Sequence, residues 1–181
     1  MALSDIRSGR RNEAGIAEAL SRLAARFGPN FQTGAAIRAQ HAHTTTYIPA
    51  QPPDGVLFVE SAGDVKAAVG ICAELRVPVI PFGTGSSLEG QVNAPDGGIS
   101  LDFSRMNRVL EVNAEDLDCT VEPGITREEL NTYLRDTGLF FPIDPGANAS
   151  IGGMASTRAS GTNAVRYGTM KDNVLAVTAV T

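Results

Sequence analysis

The order of apolar runs in residues 56–82 constrains the fold more than any other feature of this chain. The run VLFVE predicts a short buried strand at 56–60, and PVIPF predicts a second one at 78–82. Between them, Ser61 and Asp64 have the spacing of a helix-capping pair, and apolar residues follow at helical spacing. Two strands joined by a helix through short links form a parallel pair, so we expect an α/β unit here.

The residues before this unit predict one more helix and an irregular region. NEAGIAEALSRLAARFG places apolar residues on one helical face, and Gly28 with Pro29 then ends the helix. The polar residues 30–55 end in AQPPDG, which is suited to neither a helix nor a central strand. We therefore expect an N-terminal helical segment over residues 1–45.

The residues after the unit predict several further elements. GGISLDF favours a strand, RVLEV and LDCTVEP favour a hairpin, and Thr126 with Glu129 favours a capped helix ending at Gly138. LFFPID and the terminal NVLAVTAVT also favour strands. A terminal strand without a covering segment would leave an unpaired sheet edge, so we expect the chain to be a piece of a longer protein.

Composition excludes several classes of function. The net charge is −5 and no basic run is present, which disfavours nucleic acid as a partner. No stretch approaches the ~20 apolar residues of a membrane span, and the N-terminus lacks the apolar core of a secretion signal. These features favour a cytoplasmic protein. His41 and His43 do not make a metal site, because no Asp, Glu or Cys lies near them in sequence, and we expect them near the surface.

The loop FGTGSSLEG, residues 82–90, directly follows the second strand. It is not a Rossmann fingerprint, because Leu88 replaces the third glycine. It is not a P-loop either, because Gln91 replaces the lysine that would contact phosphate. Successive glycines still allow several N–H groups to converge on an anion, and the hydroxyls add donors. The alternative is a surface turn that only needs positive φ.

A second segment repeats this chemistry. DPGANASIGGMASTRASGTNAVRYGTMKDN is rich in Gly, Ser, Ala and Asn, and it is longer than an ordinary connection. Two donor-rich segments with little charge favour one extended anionic ligand, and a dinucleotide with a diphosphate fits that description. Arg158 and Arg166 lie in this segment, where they would balance a ligand's charge or form structural ion pairs. Asp144, before Pro-Gly, is expected to be a turn residue.

Together, PVIPFGTGSSLEG, TVEPG and FPIDPGANASIGGMASTRASGTNAVRYGTMKDNV resemble the FAD-binding domain of the vanillyl-alcohol-oxidase (PCMH-type) flavoproteins. Within that family the resemblance is strongest to the D-lactate dehydrogenase (cytochrome) and glycolate oxidase flavin-subunit group. It implies an α+β fold, with a PCMH-type FAD-binding domain of two α/β subdomains at residues 46–181. That domain would be incomplete at its C-terminus and truncated before a C-terminal cap domain.

The resemblance also implies which residues contact FAD. Two glycine-rich segments would hold the diphosphate, and later residues would line the ribityl chain and flavin. Binding would be non-covalent, because residues 83–90 contain neither His nor Cys. The implied cofactor-binding residues are Pro81, Gly83, Thr84, Gly85, Ser86, Ser87, Glu89, Gly90, Pro123, Pro145, Gly146, Ser150, Ile151, Gly152, Gly153, Ser160, Gly161, Asn163, Tyr167 and Gly168.

The implied reaction is oxidation of a 2-hydroxy acid, of the D-lactate or glycolate type, by hydride transfer to the flavin. A cytochrome or a quinone would accept the electrons. Peripheral attachment to a membrane would follow from that acceptor. The catalytic residues would lie in the cap domain, beyond Thr181. Two alternatives stay open: a catalytically inactive FAD-domain fragment, or a flavoenzyme like UDP-N-acetylenolpyruvylglucosamine reductase.

Overall fold

The structure is a computed structural model that describes residues 11–181, and the first ten residues of the predicted N-terminal segment lie outside this range. The chain divides into two compact units, of which the first ends at Asp102 and the second starts at Phe103, apart from single residues near the C-terminus. The helices α1 to α7 are Glu13–Phe27, Ala35–Gln40, Ala62–Glu74, Arg127–Leu134, Ile151–Ser156, Ala164–Tyr167 and Met170–Asn173. The strands β1 to β6 are Phe31–Gln32, Gly55–Phe58, Val79–Phe82, Ile99–Asp102, Val109–Asn113 and Asp118–Val121.

A four-stranded sheet forms the centre of the first unit, with the order β1-β2-β4-β3. Strand β4 runs parallel to both β2 and β3, and β1 is antiparallel to β2. The predicted parallel orientation of β2 and β3 is therefore confirmed, but their direct pairing is wrong, because β4 lies between them. All four residues of β4 are buried, as expected of a central strand covered on both faces.

Helix α1 ends, and helix α3 begins, where the sequence predicts. Ser61 accepts a hydrogen bond from the Asp64 N–H at 3.1 Å and caps α3. Gly28 adopts φ 52° at the end of α1, a conformation that favours glycine. The expectation that residues 30–55 are irregular is wrong in part, because they contain β1 and α2. Strand β1 forms through its pairing with β2, which local sequence does not reveal.

The second unit contains the predicted hairpin and capped helix. Strands β5 and β6 pair antiparallel with an irregularity between Val109 and Glu111. Thr126 and Glu129 form a complete capping box at the start of α4, and Gly138 follows with φ 76°. The buried core beneath them consists of Ile125, Leu130 and Leu134.

Three predicted elements of the second unit differ from the structure. LFFPID (139–144) is not a strand: the Asn131 side chain accepts from the Phe141 N–H at 2.6 Å and donates to its carbonyl at 3.2 Å. The second glycine-rich segment is not a bare loop, because it contains α5, α6 and α7. The terminal run after Asn173 forms no strand with any described residue.

The mixed α+β architecture predicted from the sequence is confirmed by these elements. Among the described residues, no helix combines the length and the apolar character that crossing a bilayer requires. The boundary predicted near residue 45 stays a prediction.

Candidate functional site

The first glycine loop, residues 83–90, leaves the carboxyl end of β3 in the first unit. The register places the last residues of three strands level with one another: Phe58 and Phe82 both pair with Asp102 of the central strand. Ligands of open α/β sheets bind outside the carboxyl ends of parallel strands. The loop therefore occupies the edge of the sheet where a ligand is expected.

The backbone of this loop is arranged with its amides unused. Gly85 and Gly90 adopt φ values of 67° and 78°, which side-chain-bearing residues rarely reach. Within residues 11–181, the backbone N–H groups from Gly83 to Leu88 have no protein acceptor. The hydroxyls of Thr84 and Ser86 lie 3.1 Å apart, so one donates to the other and the second adds one further donor. Such a run of free amides can bind an anion without a basic side chain.

Asn93 is a candidate ligand-binding residue that sequence reasoning missed. Its Oδ1 accepts from the Gln51 N–H at 2.9 Å, and its own N–H donates to the Gly90 carbonyl at 3.0 Å. The side chain is buried, and its Nδ2 has no hydrogen-bond partner among the described residues. Nδ2 lies 3.4 Å from the position a Cβ on Gly90 would take. A buried amide without an acceptor costs stability, so its direction towards the loop marks a place for an acceptor.

His41 lies beneath the start of this loop, which corrects the expectation of a surface position. It is buried; its Nδ1 lies 2.8 Å from the Ile37 carbonyl and its Nε2 lies 2.8 Å from the Asp102 carboxylate. Its ring contacts Phe82 at 4.3 Å and Phe58 edge-on at 5.9 Å between centroids.

Both ring nitrogens of His41 lie beside oxygen atoms that can accept, an arrangement that suits the protonated ring because both nitrogens then donate. Burial acts to lower the pKa of His41, but the hydrogen bonds to Asp102 and Ile37 outweigh it and raise the pKa above its ordinary value. His43 is exposed, and no group of three or more His, Cys, Asp or Glu suited to a metal ion occurs in the described part of the chain.

The second glycine-rich segment presents a different backbone. Ser150 caps α5 by accepting from the Gly153 N–H at 3.4 Å. The N–H groups of Ile151 and Gly152 donate to the carbonyls of Ile125 and Pro123, both at 2.8 Å. A Cβ on Gly152 would lie 2.6 Å from the Pro123 Cβ, so this glycine allows close packing. Pro123 and residues 150–153 are thus brought together within the second unit.

The remaining predicted residues of the second unit follow the same segment. Asp144 accepts from the Gly146 N–H at 3.1 Å, which confirms it as a turn residue. The Asn163 side chain reaches the Pro142 carbonyl at 3.5 Å, and the Tyr167 ring packs edge-on against Phe140 at 5.5 Å. Pro145 and Ser160 are exposed, Gly161 lies against the Asp144 backbone, and Gly168 adopts φ 79°.

Two predicted residues of the first unit contribute little donor capacity. Pro81 is exposed on β3 and has no N–H. The Glu89 side chain is exposed and accepts from the Gln91 amide at 3.2 Å. Among the predicted residues of the first loop, those whose amides have no acceptor within residues 11–181 are therefore Gly83, Thr84, Gly85, Ser86 and Ser87. Their chemistry fits the oxygens of a phosphate or diphosphate.

Comparison with known proteins adds to this geometry. A family model described as FAD binding domain matches residues 53–181. The chain is 55% identical over 142 residues to a probable mitochondrial D-lactate dehydrogenase of Danio rerio. This match covers 78% of this chain and 29% of that protein. The chain is 52% identical over 128 residues to the mitochondrial D-lactate dehydrogenase (cytochrome) of Arabidopsis thaliana, covering 71% of this chain and 23% of that protein.

A solved structure of alkyldihydroxyacetonephosphate synthase superposes on this chain with a TM-score of 0.78 and 25% identity. The match covers 86% of this chain and 34% of that one. The chain therefore spans less than a third of the length of the two curated relatives, 29% and 23%.

Proposed function

Because this chain belongs to the FAD binding domain family, we propose that it is the flavin-binding portion of an FAD-dependent dehydrogenase or oxidase of 2-hydroxy acids. The kinship to D-lactate dehydrogenases supports D-lactate or a close analogue such as glycolate as the substrate. One observation of the structure carries the proposal furthest. The first glycine loop presents the N–H groups of residues 83–88, which have no acceptor in the part of the chain that the structure describes.

In this proposal the first loop binds the FAD diphosphate. The free amides and one of the two hydrogen-bonded hydroxyls of Thr84 and Ser86 donate to phosphate oxygens, and the buried Asn93 Nδ2 supplies a further donor near Gly90. Neutral donors fixed in advance cost little reorganisation when the anion arrives. Binding is proposed as non-covalent, since residues 83–90 offer no His or Cys.

The second unit contributes residues 145–168 and Pro123 to the same cofactor in this proposal. Its amides at Ile151 and Gly152 are engaged by protein carbonyls, so these residues would contact the cofactor through packing. The placement of both segments on one FAD molecule is itself part of the proposal. When bound, FAD supplies the hydride acceptor, and the protein's part is to bind and orient it.

Because the chain spans only 29% and 23% of the two D-lactate dehydrogenases, the oxidation is proposed for a protein that joins this chain to a substrate-binding part. A cytochrome or a quinone is proposed as the electron acceptor, in line with the name of the Arabidopsis relative. A cytoplasmic location stays a prediction, and both relatives are named as mitochondrial.

Thermal melting of the 181-residue chain with FAD tests the cofactor. We expect saturating FAD to raise the melting temperature and riboflavin, which lacks phosphate, to raise it much less. Equal responses to the two ligands would remove the diphosphate from the proposal, and no response to FAD would favour the inactive-fragment alternative.

Turnover measurements on the full-length protein test the reaction. The substrates are D-lactate, glycolate, and UDP-N-acetylenolpyruvylglucosamine supplied together with NADPH. We expect D-lactate to be oxidised fastest. If only the enolpyruvyl sugar reacts, the result would favour the alternative, a flavoenzyme like UDP-N-acetylenolpyruvylglucosamine reductase.

A further inference from the structure

A segment that precedes the family match runs along the whole first glycine loop. We call residues 41–51 the bracing segment; the family match begins at residue 53. We propose that the bracing segment is part of the cofactor site, with Thr44 as a positioning residue that fixes the direction of the loop's peptide groups. The inference rests on the proposed binding of FAD.

The bracing segment begins at His41, at the point where the loop leaves the sheet. His41 contacts the ends of all three parallel strands: it hydrogen-bonds Asp102 of β4 and packs against Phe58 and Phe82. Phe82 is the last residue of β3 and directly precedes Gly83. The ring of His41 therefore supports the first peptide of the loop from below.

The middle of the bracing segment contacts the middle and the end of the loop. The Thr44 hydroxyl donates to the Ser87 carbonyl at 3.0 Å. A Cβ on Gly85 would lie 3.9 Å from the His43 carbonyl, and one on Gly90 would lie 3.2 Å from Ile48 Cδ1. The two stretches of chain thus lie side by side.

The bracing segment ends at Gln51, which fixes the far side of the loop. Its N–H donates to the Asn93 side chain at 2.9 Å, and its carbonyl accepts from the Ala94 N–H at 2.8 Å. Asn93 in turn donates to the Gly90 carbonyl at 3.0 Å. The loop has no helix or strand of its own, so its shape depends on these contacts.

The direction of the hydrogen bonds explains how the brace serves the ligand. In a trans peptide the C=O and the N–H point in opposite directions. Thr44 hydrogen-bonds the Ser87 carbonyl, and this directs the Leu88 N–H away from the bracing segment. The protein thus engages carbonyl groups of the loop, at Ser87 and Gly90, and leaves the N–H groups of residues 83–88 for an anion.

Thr44→Val tests the proposal, because it removes the hydroxyl and preserves the volume. The matched control is Thr45→Val, at an exposed neighbour whose hydroxyl makes no hydrogen bond within residues 11–181. We expect Thr44→Val to weaken FAD binding about three- to tenfold, the effect of losing one hydrogen bond. Thr44→Ser, which restores the hydroxyl, is expected to recover the affinity, and the melting temperature without FAD is expected to change little.

NMR order parameters of the backbone N–H groups at 83–90, measured without FAD, provide a second readout that does not depend on the cofactor. We expect them to fall in Thr44→Val and to match the wild type in Thr45→Val and Thr44→Ser. Unchanged order parameters overturn the inference, and so does a mobile loop that binds FAD with wild-type affinity. A wild-type chain that ignores FAD counts against the proposed function, and the order parameters then still decide whether Thr44 braces the loop.

Discussion

The two glycine-rich segments have similar compositions but use glycine for different physical reasons. In the first, Gly85 and Gly90 provide positive φ values, and the loop is held by residues outside it. In the second, Gly152 and Gly161 provide space, because their Cα atoms lie against the backbones of Pro123 and Asp144. A glycine-rich composition therefore indicates neither an exposed loop nor a set of free donors until the backbone is known.

The hydrogen bonds of the two segments differ accordingly. The second segment contains α5 and α6, and the N–H groups that begin α5 donate to protein carbonyls. The first contains no helix, and the N–H groups of residues 83–88 have no acceptor among residues 11–181. We infer that the first loop depends for its shape on residues outside it, whereas the second has short helices of its own in addition to its contacts with Pro123 and Ile125. The following substitutions test that difference.

The largest effect is expected from His41→Leu. It removes the imidazolium from beside the buried Asp102 carboxylate and the support from beneath Phe82. Breaking one side of a buried charge pair costs about 3–5 kcal/mol of unfolding free energy. Urea unfolding measures the loss, with the exposed His43→Leu as a control that is expected to change stability by under about 0.5 kcal/mol. Equal effects at the two positions would contradict the dependence of the first loop on its distant support.

The next largest effect separates the two uses of glycine. Gly161→Ala would force a Cβ into the Asp144 carbonyl oxygen, which we expect to cost about 3 kcal/mol or more, since backbone must move. In Gly85→Ala the new Cβ would lie 3.0 Å from the edge of the Phe82 ring, and the alanine would have to adopt a positive φ. Together these effects are expected to cost about 1–2 kcal/mol.

Chemical denaturation of the two variants gives the comparison, with Gly70→Ala as the control. Gly70 lies within α3 with open space around it, so alanine there is expected to stabilise by up to about 1 kcal/mol. A larger loss at Gly85 than at Gly161 would reverse the assignment of the two glycines.

Local pattern predicted the elements of the first unit but not their arrangement. Apolar runs located β2 and β3, and Ser61 located the start of α3, because these signals lie within a few residues of each other. The insertion of β4 between β2 and β3 depends on pairing over long sequence distances. The burial of His41 depends on Asp102, which is 61 residues away in sequence, so the residues near His41 gave no indication that it is buried.

In the second unit the errors have a different cause. LFFPID reads as a strand by composition, but its backbone partner is the Asn131 side chain, so no neighbouring strand is needed. The short helices α5 and α7 lie in a Gly- and Ser-rich sequence of low helix propensity and pack Met154 and Met170 into a buried cluster. The loop at 83–90 was located correctly; the importance of Asn93 was missed because its neighbours Gly90 and Gln51 come from two segments.

The pH dependence of stability is expected to differ between the two units. The pKa of His41 is raised in the folded state, so its contribution is fully present below its ordinary value of 6.5 and is lost as pH rises through the raised value. In the second unit, hydrogen bonds from Arg108 lower the pKa of Glu122, so its contribution is present above its ordinary value of 4.5 and is lost as pH falls through the lowered value.

Melting temperatures measured from acid to alkaline pH test this difference. We expect His41→Asn to flatten the decline on the alkaline side, and Glu122→Gln to flatten the decline on the acid side. The facing charges are Asp102 for His41 and Arg108 for Glu122. A parallel change in both variants would show that other groups dominate the pH dependence.

The smallest effect tests how far the second segment is stabilised by contacts within its own helices. Thr169 and Asp172 form a capping box at the start of α7, with the Thr169 N–H and hydroxyl donating to the Asp172 carboxylate at 2.8 and 3.0 Å. Thr169→Ala removes the hydroxyl's hydrogen bond to the Asp172 carboxylate and is expected to cost about 1 kcal/mol, the usual net contribution of one hydrogen bond. The control is Thr162→Ala, at an exposed threonine whose hydroxyl has no partner in the described part of the chain. Because α7 packs Met170 into the core, a loss of stability at Thr169 and none at Thr162 would show that the order of this segment depends on the contact between Thr169 and Asp172. Equal losses at the two positions would indicate that it depends on distant contacts, as the first loop does.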